Sequence, residues 1–135
     1  MQQTSNGTLY IVATPIGNLE DMTFRAVRTL KEVDLIAAED TRHSRKLLAH
    51  YGIATRMTPY HDHNEQLKTD YLIDRLQNGQ NVALITDAGT PCIADPGYRI
   101  VQAAVAAGVR VVPIPGAAAL AAAVSAAVAI LAFAW

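Results

Sequence analysis

The residues best suited to chemistry lie in a stretch rich in Gly, Pro and Asp, from Asp87 to Gly97. Its eleven residues include two Gly, two Pro and two Asp, and they follow an apolar run of strand length. Gly89 leaves backbone N–H and C=O groups open to a ligand, while Asp87 and Thr90 supply acceptor oxygens. We therefore interpret this stretch as a ligand-binding loop rather than a plain connection.

A second candidate site is the run His61-Asp62-His63-Asn64-Glu65, which is dense in titratable side chains. In an extended backbone His61 and His63 point to the same side, as metal ligands can, but no further Cys or His cluster completes the set of about four that zinc requires. We favour a role in holding a substrate hydroxyl or removing its proton, for which neutral His or Asp is suited. The alternative is a polar loop in which Asn64 caps the next helix.

The third candidate is Glu39-Asp40-Thr41-Arg42, which also follows an apolar run. Its two carboxylates and the Arg42 guanidinium can bind a polar ligand or orient a substrate. The alternative is that Asp40 or Thr41 caps the following helix and Arg42 is solvated.

Two further turns contain Pro and Gly after apolar runs, namely Ala13 to Asn18 and Val112 to Gly116. The first has neither the glycine spacing of a dinucleotide site nor the lysine of a phosphate-binding loop. Both turns still allow the backbone to approach a ligand closely. Pro113 within an apolar run predicts an edge strand or one that ends early.

Short apolar runs alternate with helical stretches along the whole chain, which predicts an α/β fold. We expect a mostly parallel five-stranded sheet with helices on both faces, and ligands beyond the carboxyl ends of its strands. The predicted strands are 9–13, 34–38, 56–60, 81–86 and 109–114. Four helices are predicted. The first is capped by Thr23 and the second by Thr41; the third spans 65–76, and the fourth is capped by Asp95 and runs to Gly108.

Composition sets limits on the function. The 135 residues suit one domain, here 9–116, after a flexible N-terminus of residues 1–8 without a signal peptide. The 11 basic and 12 acidic residues give a net charge of −1, without the basic excess that RNA-binding proteins usually show. RNA is therefore held mainly by a part outside this chain, or it is not the substrate. The single Cys92 fits a reducing, cytoplasmic location.

The segment from Ala117 to Trp135 has no charged residue, and 11 of its 19 positions are alanine. Its length admits a membrane span, but no Lys or Arg follows it and alanine inserts weakly. We favour a helix that is buried against a partner domain; an ending that is not native is the remaining alternative.

Taken in order, these motifs resemble the tetrapyrrole methylase family, and in particular the branch that 2′-O-methylates a cytidine of small-subunit ribosomal RNA. Five motifs in register cover positions 9 to 116. They are Thr14-Pro15-Ile16-Gly17-Asn18-Leu19, Ala38-Glu39-Asp40-Thr41-Arg42, His61-Asp62-His63-Asn64-Glu65, Asp87-Ala88-Gly89-Thr90-Pro91 with Asp95-Pro96-Gly97, and Pro113-Ile114-Pro115-Gly116.

The resemblance implies a two-domain homodimer that binds S-adenosylmethionine in the cleft between its domains and needs no metal. The matching positions imply three groups of cofactor contacts, with Asp87 as the residue that orients the central loop. They are Ile16 and Gly17; Asp87, Gly89, Thr90, Pro91 and Ile93; and Gly116, Ala117 and Ala118.

For the acceptor side, the candidates for a general base are Asp40, His61 and His63, with Arg42 and Asn64 as substrate contacts. The chain departs from the family pattern at Ala117 and Ala118, and its Ala-rich ending replaces the expected linker to a second domain. We expect this half alone to be inactive. A small-molecule methylase of the same superfamily and a non-catalytic domain are the alternatives.

Overall fold

The strands are apolar runs of three to six residues, and the inner ones are buried on both faces of one sheet. A computed structural model of the chain describes residues 5–15, 19–86 and 97–116. All strand pairs are parallel, and the order across the sheet is β3-β2-β4-β1-β5. The bounds are β1 Thr8–Ala13, β2 Leu35–Ala38, β3 Met57–Pro59, β4 Val82–Thr86 and β5 Arg110–Ile114.

Four helices connect the strands: α1 Phe24–Glu32, α2 Thr41–His50, α3 Glu65–Gln77 and α4 Gly97–Ala106. Thr23 caps α1 as predicted, because its Oγ1 accepts a hydrogen bond from the N–H of Ala26 at 3.0 Å. Of the two residues proposed to cap α2, the structure selects Asp40, and the prediction of a Thr41 cap is wrong. The Asp40 carboxylate accepts from two N–H groups and so satisfies two of the unpaired donors at the start of the helix.

Each face of the sheet is covered by one pair of helices. On one face Leu30 of α1 and Leu48 of α2 pack against Val12, Ile36 and Ile85. On the opposite face α3 and α4 cover a second cluster, which includes the α3 residues Leu72 and Leu76, Ile100 of α4, and the strand residues Leu9, Ile11 and Leu84. Alternate residues of one strand enter different clusters, as the two-residue repeat of a strand requires. The prediction of an α/β sheet covered on both faces is confirmed.

Because all five strands are parallel, they end at the same edge of the sheet, which we call the carboxyl edge. β4 is the central strand, and β5 is an edge strand. Pro113 lies in β5, and the prediction of an edge strand is confirmed. Proline lacks the N–H that a strand inside the sheet would need for pairing on both sides. Gly52 and Gly79 have φ of +65° and +88°, and this left-handed backbone ends α2 and α3.

Several predictions concern positions outside the described residues. These include the Asp95 cap of α4 and the helix proposed for Ala117 to Trp135. Within the described ranges, no helix combines the length and apolar character needed to cross a membrane.

Candidate functional site

Two of the sequence-predicted motifs meet at neighbouring strand ends. The N–H of Tyr60 donates to the carbonyl of Ala38 at 2.8 Å, so β2 and β3 remain paired up to the carboxyl edge. Beyond this point, the helix that follows β2, α2, packs on one face of the sheet, and the helix that follows β3, α3, packs on the other. Neighbouring strands whose helices diverge leave a crevice between their ends. Asp40 and Arg42 follow one of these two strands, and residues 61–64 follow the other.

The Asp40 carboxylate is engaged by the backbone. Its Oδ1 accepts hydrogen bonds from the N–H groups of Arg42 at 3.0 Å and His43 at 3.2 Å. Asp40 is exposed, as is Arg42 in the first turn of α2. The cap therefore fixes the carboxylate at the crevice, where it can accept a hydrogen bond from a hydroxyl, and presents the Arg42 guanidinium to solvent beside it.

Asn64 holds the loop that follows β3. Its Oδ1 accepts from the N–H of His61 at 2.8 Å, and its Nδ2 donates to the carbonyl of Pro59 at 3.1 Å. Asn64 occupies the cap position of α3, but its side chain makes no capping hydrogen bond. Both polar groups of Asn64 thus serve the loop, so its predicted contact with substrate would require these bonds to be shared or broken.

His61 and His63 come together in a turn rather than along an extended segment. The N–H of His63 donates to Nδ1 of His61 at 3.2 Å, and the two ring centroids are 5.7 Å apart. When Nδ1 accepts, a neutral imidazole carries its proton on Nε2. His61 therefore presents a donor, and the exposed His63 is the better placed of the two to accept a proton.

Beneath this loop lies a buried tyrosine that belongs to none of the sequence motifs. Tyr60 is fully buried, and its hydroxyl is 2.8 Å from Oγ1 of Thr69, which is itself buried. Burial raises the pKa of Tyr60 above its ordinary value, and the hydrogen bond with Thr69 opposes this rise. Glu65 and Arg99 form an ion pair close by, with Oε1 and Nε 2.8 Å apart. No local sequence pattern marks Arg99, because its partner is 34 residues away.

The proposed cofactor loops follow three adjacent strands, β4, β1 and β5. α1 and α4, which come after the neighbouring strands β1 and β4, lie on opposite faces of the sheet, an arrangement in which ligands bind at the strand ends. Gly116 lies against the end of β1: a Cβ at this position would be 3.5 Å from both Cβ and O of Ala13. The other proposed contacts fall outside the described residues: Ile16, Gly17, Asp87, Gly89, Thr90, Pro91, Ile93, Ala117 and Ala118.

The described residues around the histidine run do not complete a metal site. In the part of the chain that the structure describes, no group of three or more His, Cys, Asp or Glu residues is arranged to hold a metal ion.

Comparison with known proteins gives the same family as the motifs. The family described as Tetrapyrrole (Corrin/Porphyrin) Methylases matches residues 8–134. The chain is 59% identical over 116 residues to "Ribosomal RNA small subunit methyltransferase I" of Halalkalibacterium halodurans, covering 86% of this chain and 40% of the relative. Over 123 residues it is 59% identical to the protein of that name in Escherichia coli O157:H7, covering 91% and 43%. The chain thus spans about 40% of the length of these relatives.

Two solved structures share the fold. Uroporphyrin-III-C-methyltransferase from Thermus thermophilus superposes with a TM-score of 0.67 at 24% identity, over 82% of this chain and 47% of that one. Diphthine synthase superposes with a TM-score of 0.66 at 20% identity, over 82% and 45%. At these identities the likeness concerns the fold alone.

Proposed function

This chain belongs to the Tetrapyrrole (Corrin/Porphyrin) Methylases, and we propose that it forms part of an enzyme that methylates the 2′-hydroxyl of a cytidine in small-subunit ribosomal RNA, with S-adenosylmethionine as methyl donor. The observation that carries the proposal is the high identity to relatives named for this RNA, which extends over most of the chain. The strand ends at the carboxyl edge supply places for donor and acceptor.

The described residues at the ends of β1 and β5 fit a bound cofactor. Gly116 has no side chain, so a ligand can approach its backbone closely beside Ala13, where a Cβ would stand in ordinary contact at 3.5 Å. Thr14, directly after β1, is buried. Gly116 and Thr14, with the loops 16–18 and 87–93, would hold the cofactor. When bound, S-adenosylmethionine supplies an electrophilic methyl group on a sulfonium.

The residues at the ends of β2 and β3 would hold the acceptor ribose. The ribose hydroxyl would accept the methyl group that the bound cofactor supplies, and its proton would pass to a base of the protein. Asp40 or His63 would take that proton, and the Nε2–H of His61 would hold the ribose by donation; the support is that Asp40 caps α2 and that Nδ1 of His61 accepts from His63. Arg42 would place a neighbouring phosphate. By holding the acceptor hydroxyl in a fixed orientation, these residues would supply much of the acceleration.

A small-molecule substrate is the competing possibility, since one protein of the same fold is a uroporphyrin-III-C-methyltransferase. A substrate screen separates the two. Full-length protein is incubated with methyl-labelled S-adenosylmethionine and either small ribosomal subunits or a corrinoid and porphyrinoid panel. We expect label in the RNA and none in the panel. Label in a tetrapyrrole alone would replace this proposal with the competing one.

A further inference from the structure

The outer surface of α2 carries a local excess of positive charge. Three cations, Arg42, Arg45 and Lys46, are exposed on it together with His43 and His50, and the helix from Thr41 to His50 contains no acidic residue. We call these five side chains the α2 face. The net charge of −1 for the whole chain conceals this local excess.

The cations of the α2 face make no ion pair or side-chain hydrogen bond with any residue that the structure describes. The cations of α3 and α4 differ, whereas Arg25, Arg28 and Lys31 of α1 likewise make no ion pair or side-chain hydrogen bond with a described residue. Lys68 of α3 donates to Oγ1 of Thr58 at 2.9 Å, and Arg99 of α4 pairs with Glu65. Arg75 bonds to the hydroxyl of Tyr71 and to the side-chain carbonyl of Gln80.

The α2 cations also oppose the stability of their own helix. Arg42 and Lys46 are four residues apart, so two like charges neighbour each other along the surface. Arg42 also lies in the first turn, where the helix dipole favours anions. Neither placement is explained by helix formation. Both are favourable once a polyanion lies along the helix.

The α2 face begins at the ends of β2 and β3, where the acceptor ribose is proposed to bind. Arg42 follows the Asp40 cap at the carboxyl edge, and Lys46 and His50 continue along the same side of α2 at intervals of four residues. We propose that the α2 face binds the phosphate backbone of the substrate RNA and thereby leads the target nucleotide to the crevice between β2 and β3. This inference rests on the proposed function. Regularly spaced cations that track a sugar-phosphate backbone are typical of such surfaces.

A neighbouring groove of about 760 Å³ lies between α1 and the end of α2. It contains the carboxylates of Glu20 and Glu32 beside Arg28 and Lys31. His50 of the α2 face also lines this groove. Because the groove's carboxylates would repel phosphate, we assign the RNA-binding role to the cations of the α2 face outside it, Arg42, Arg45 and Lys46.

The test compares two charge-matched variants of the full-length protein. Arg45→Gln with Lys46→Gln removes two cations of the α2 face. Arg56→Gln with Arg110→Gln removes two exposed cations at the amino edge of the sheet, away from the carboxyl edge. Arg56 directly precedes β3, and Arg110 is the first residue of β5. The measurement is the affinity for unmethylated small-subunit RNA across a series of salt concentrations, with calorimetric binding of S-adenosylmethionine as a check on the fold.

Each phosphate that the protein no longer neutralises lowers the slope of log affinity against log salt by about 0.7 to 0.9. We expect the α2 variant to reduce this slope by about 1.4 to 1.8 and the control variant to keep the wild-type slope, with cofactor binding unchanged in both. Equal slopes in the two variants would overturn the inference. So would an unchanged slope with a smaller oligomer by light scattering, which would make the α2 face a contact between copies of this chain. If the wild-type protein methylates the RNA in either case, the proposed function survives.

Discussion

Glu65 and Arg99 join the first turns of α3 and α4 through a hydrogen-bonded ion pair, with Oε1 and Nε 2.8 Å apart. The Glu65 side chain is only 13% exposed, whereas that of Arg99 is 54% exposed. Glu65 directly follows the His61–Asn64 loop, and Arg99 is in the helix that follows residues 87–96. The pair therefore connects the proposed acceptor side of the site to the chain just beyond the proposed cofactor loop.

The coupling between these two residues is measurable. In a double-mutant cycle with Glu65→Gln and Arg99→Gln, we expect an interaction free energy below about 1 kcal/mol, because solvent screens the half-exposed guanidinium. The coupling should fall further as salt is added. Urea unfolding of the four proteins at two salt concentrations gives both quantities. A coupling that does not respond to salt would mean that the pair acts through packing rather than charge.

Replacing Tyr60 with Phe should destabilise the fold by about 1 to 2 kcal/mol, because the buried hydroxyl of Thr69 loses its partner. The double variant with Thr69→Val removes both polar groups and should recover part of this loss. Urea unfolding at neutral pH measures both. A double variant less stable than Tyr60→Phe alone would show that the pair is not the source of the effect.

The same tyrosine predicts an alkaline loss of stability. Burial raises the pKa of Tyr60 above 10.0, so the folded state holds this proton more tightly than the unfolded state. Its contribution is fully present below the unfolded pKa of about 10 and is lost as the pH rises through the folded value. The difference in unfolding free energy between wild type and Tyr60→Phe should therefore shrink from about pH 9 to about pH 11. A constant difference would contradict the burial.

Asp40 has two roles that substitutions can separate. Asn caps helices about as well as Asp, so Asp40→Asn should leave stability nearly unchanged, whereas Asp40→Ala should cost about 1 kcal/mol. If the carboxylate takes the ribose proton, Asp40→Asn should lower kcat by about 10² to 10⁴ with the KM for S-adenosylmethionine unchanged. Full activity in Asp40→Asn would limit Asp40 to capping and leave His63 as the base.

Gly116 tests the proposed cofactor site without straining the fold. A Cβ at this position meets Ala13 at 3.5 Å, which is an ordinary contact, so Gly116→Ala should fold with wild-type stability. If the cofactor lies against this backbone, the added methyl group should weaken S-adenosylmethionine binding by calorimetry. Gly52→Ala is a useful comparison, because Gly52 has a φ of +65° at the end of α2 and should lose stability without losing cofactor affinity. Unchanged affinity in Gly116→Ala would remove this residue from the site.

The sequence was informative wherever one local signal decided the structure. Thr23 as a cap, Pro113 in an edge strand and Gly79 after α3 were all predictable, because each depends on the conformational limits of one residue. The choice between Asp40 and Thr41 as cap was not, since both residue types favour that position and their neighbours decide.

Interactions between distant segments could not be predicted. Neither Tyr60 nor Arg99 belongs to a motif. Tyr60 bonds to Thr69 on the helix that follows it, and Arg99 pairs with Glu65 because strand order places α3 beside α4. The net charge was misleading for a similar reason: an average over the chain does not show that α2 is basic on its outer surface. The pattern of the histidine run suggests an extended segment, whereas Asn64 bends it into a turn.

The central claim is that the methyl group is transferred to a ribose of small-subunit RNA. Full-length protein is incubated with unmethylated small ribosomal subunits and isotopically labelled S-adenosylmethionine, and the RNA is then digested to nucleosides for mass spectrometry. The account predicts one labelled nucleoside, a cytidine carrying the methyl group on its 2′-oxygen. Label on a base, or RNA without label under conditions in which the protein binds the cofactor, would contradict it.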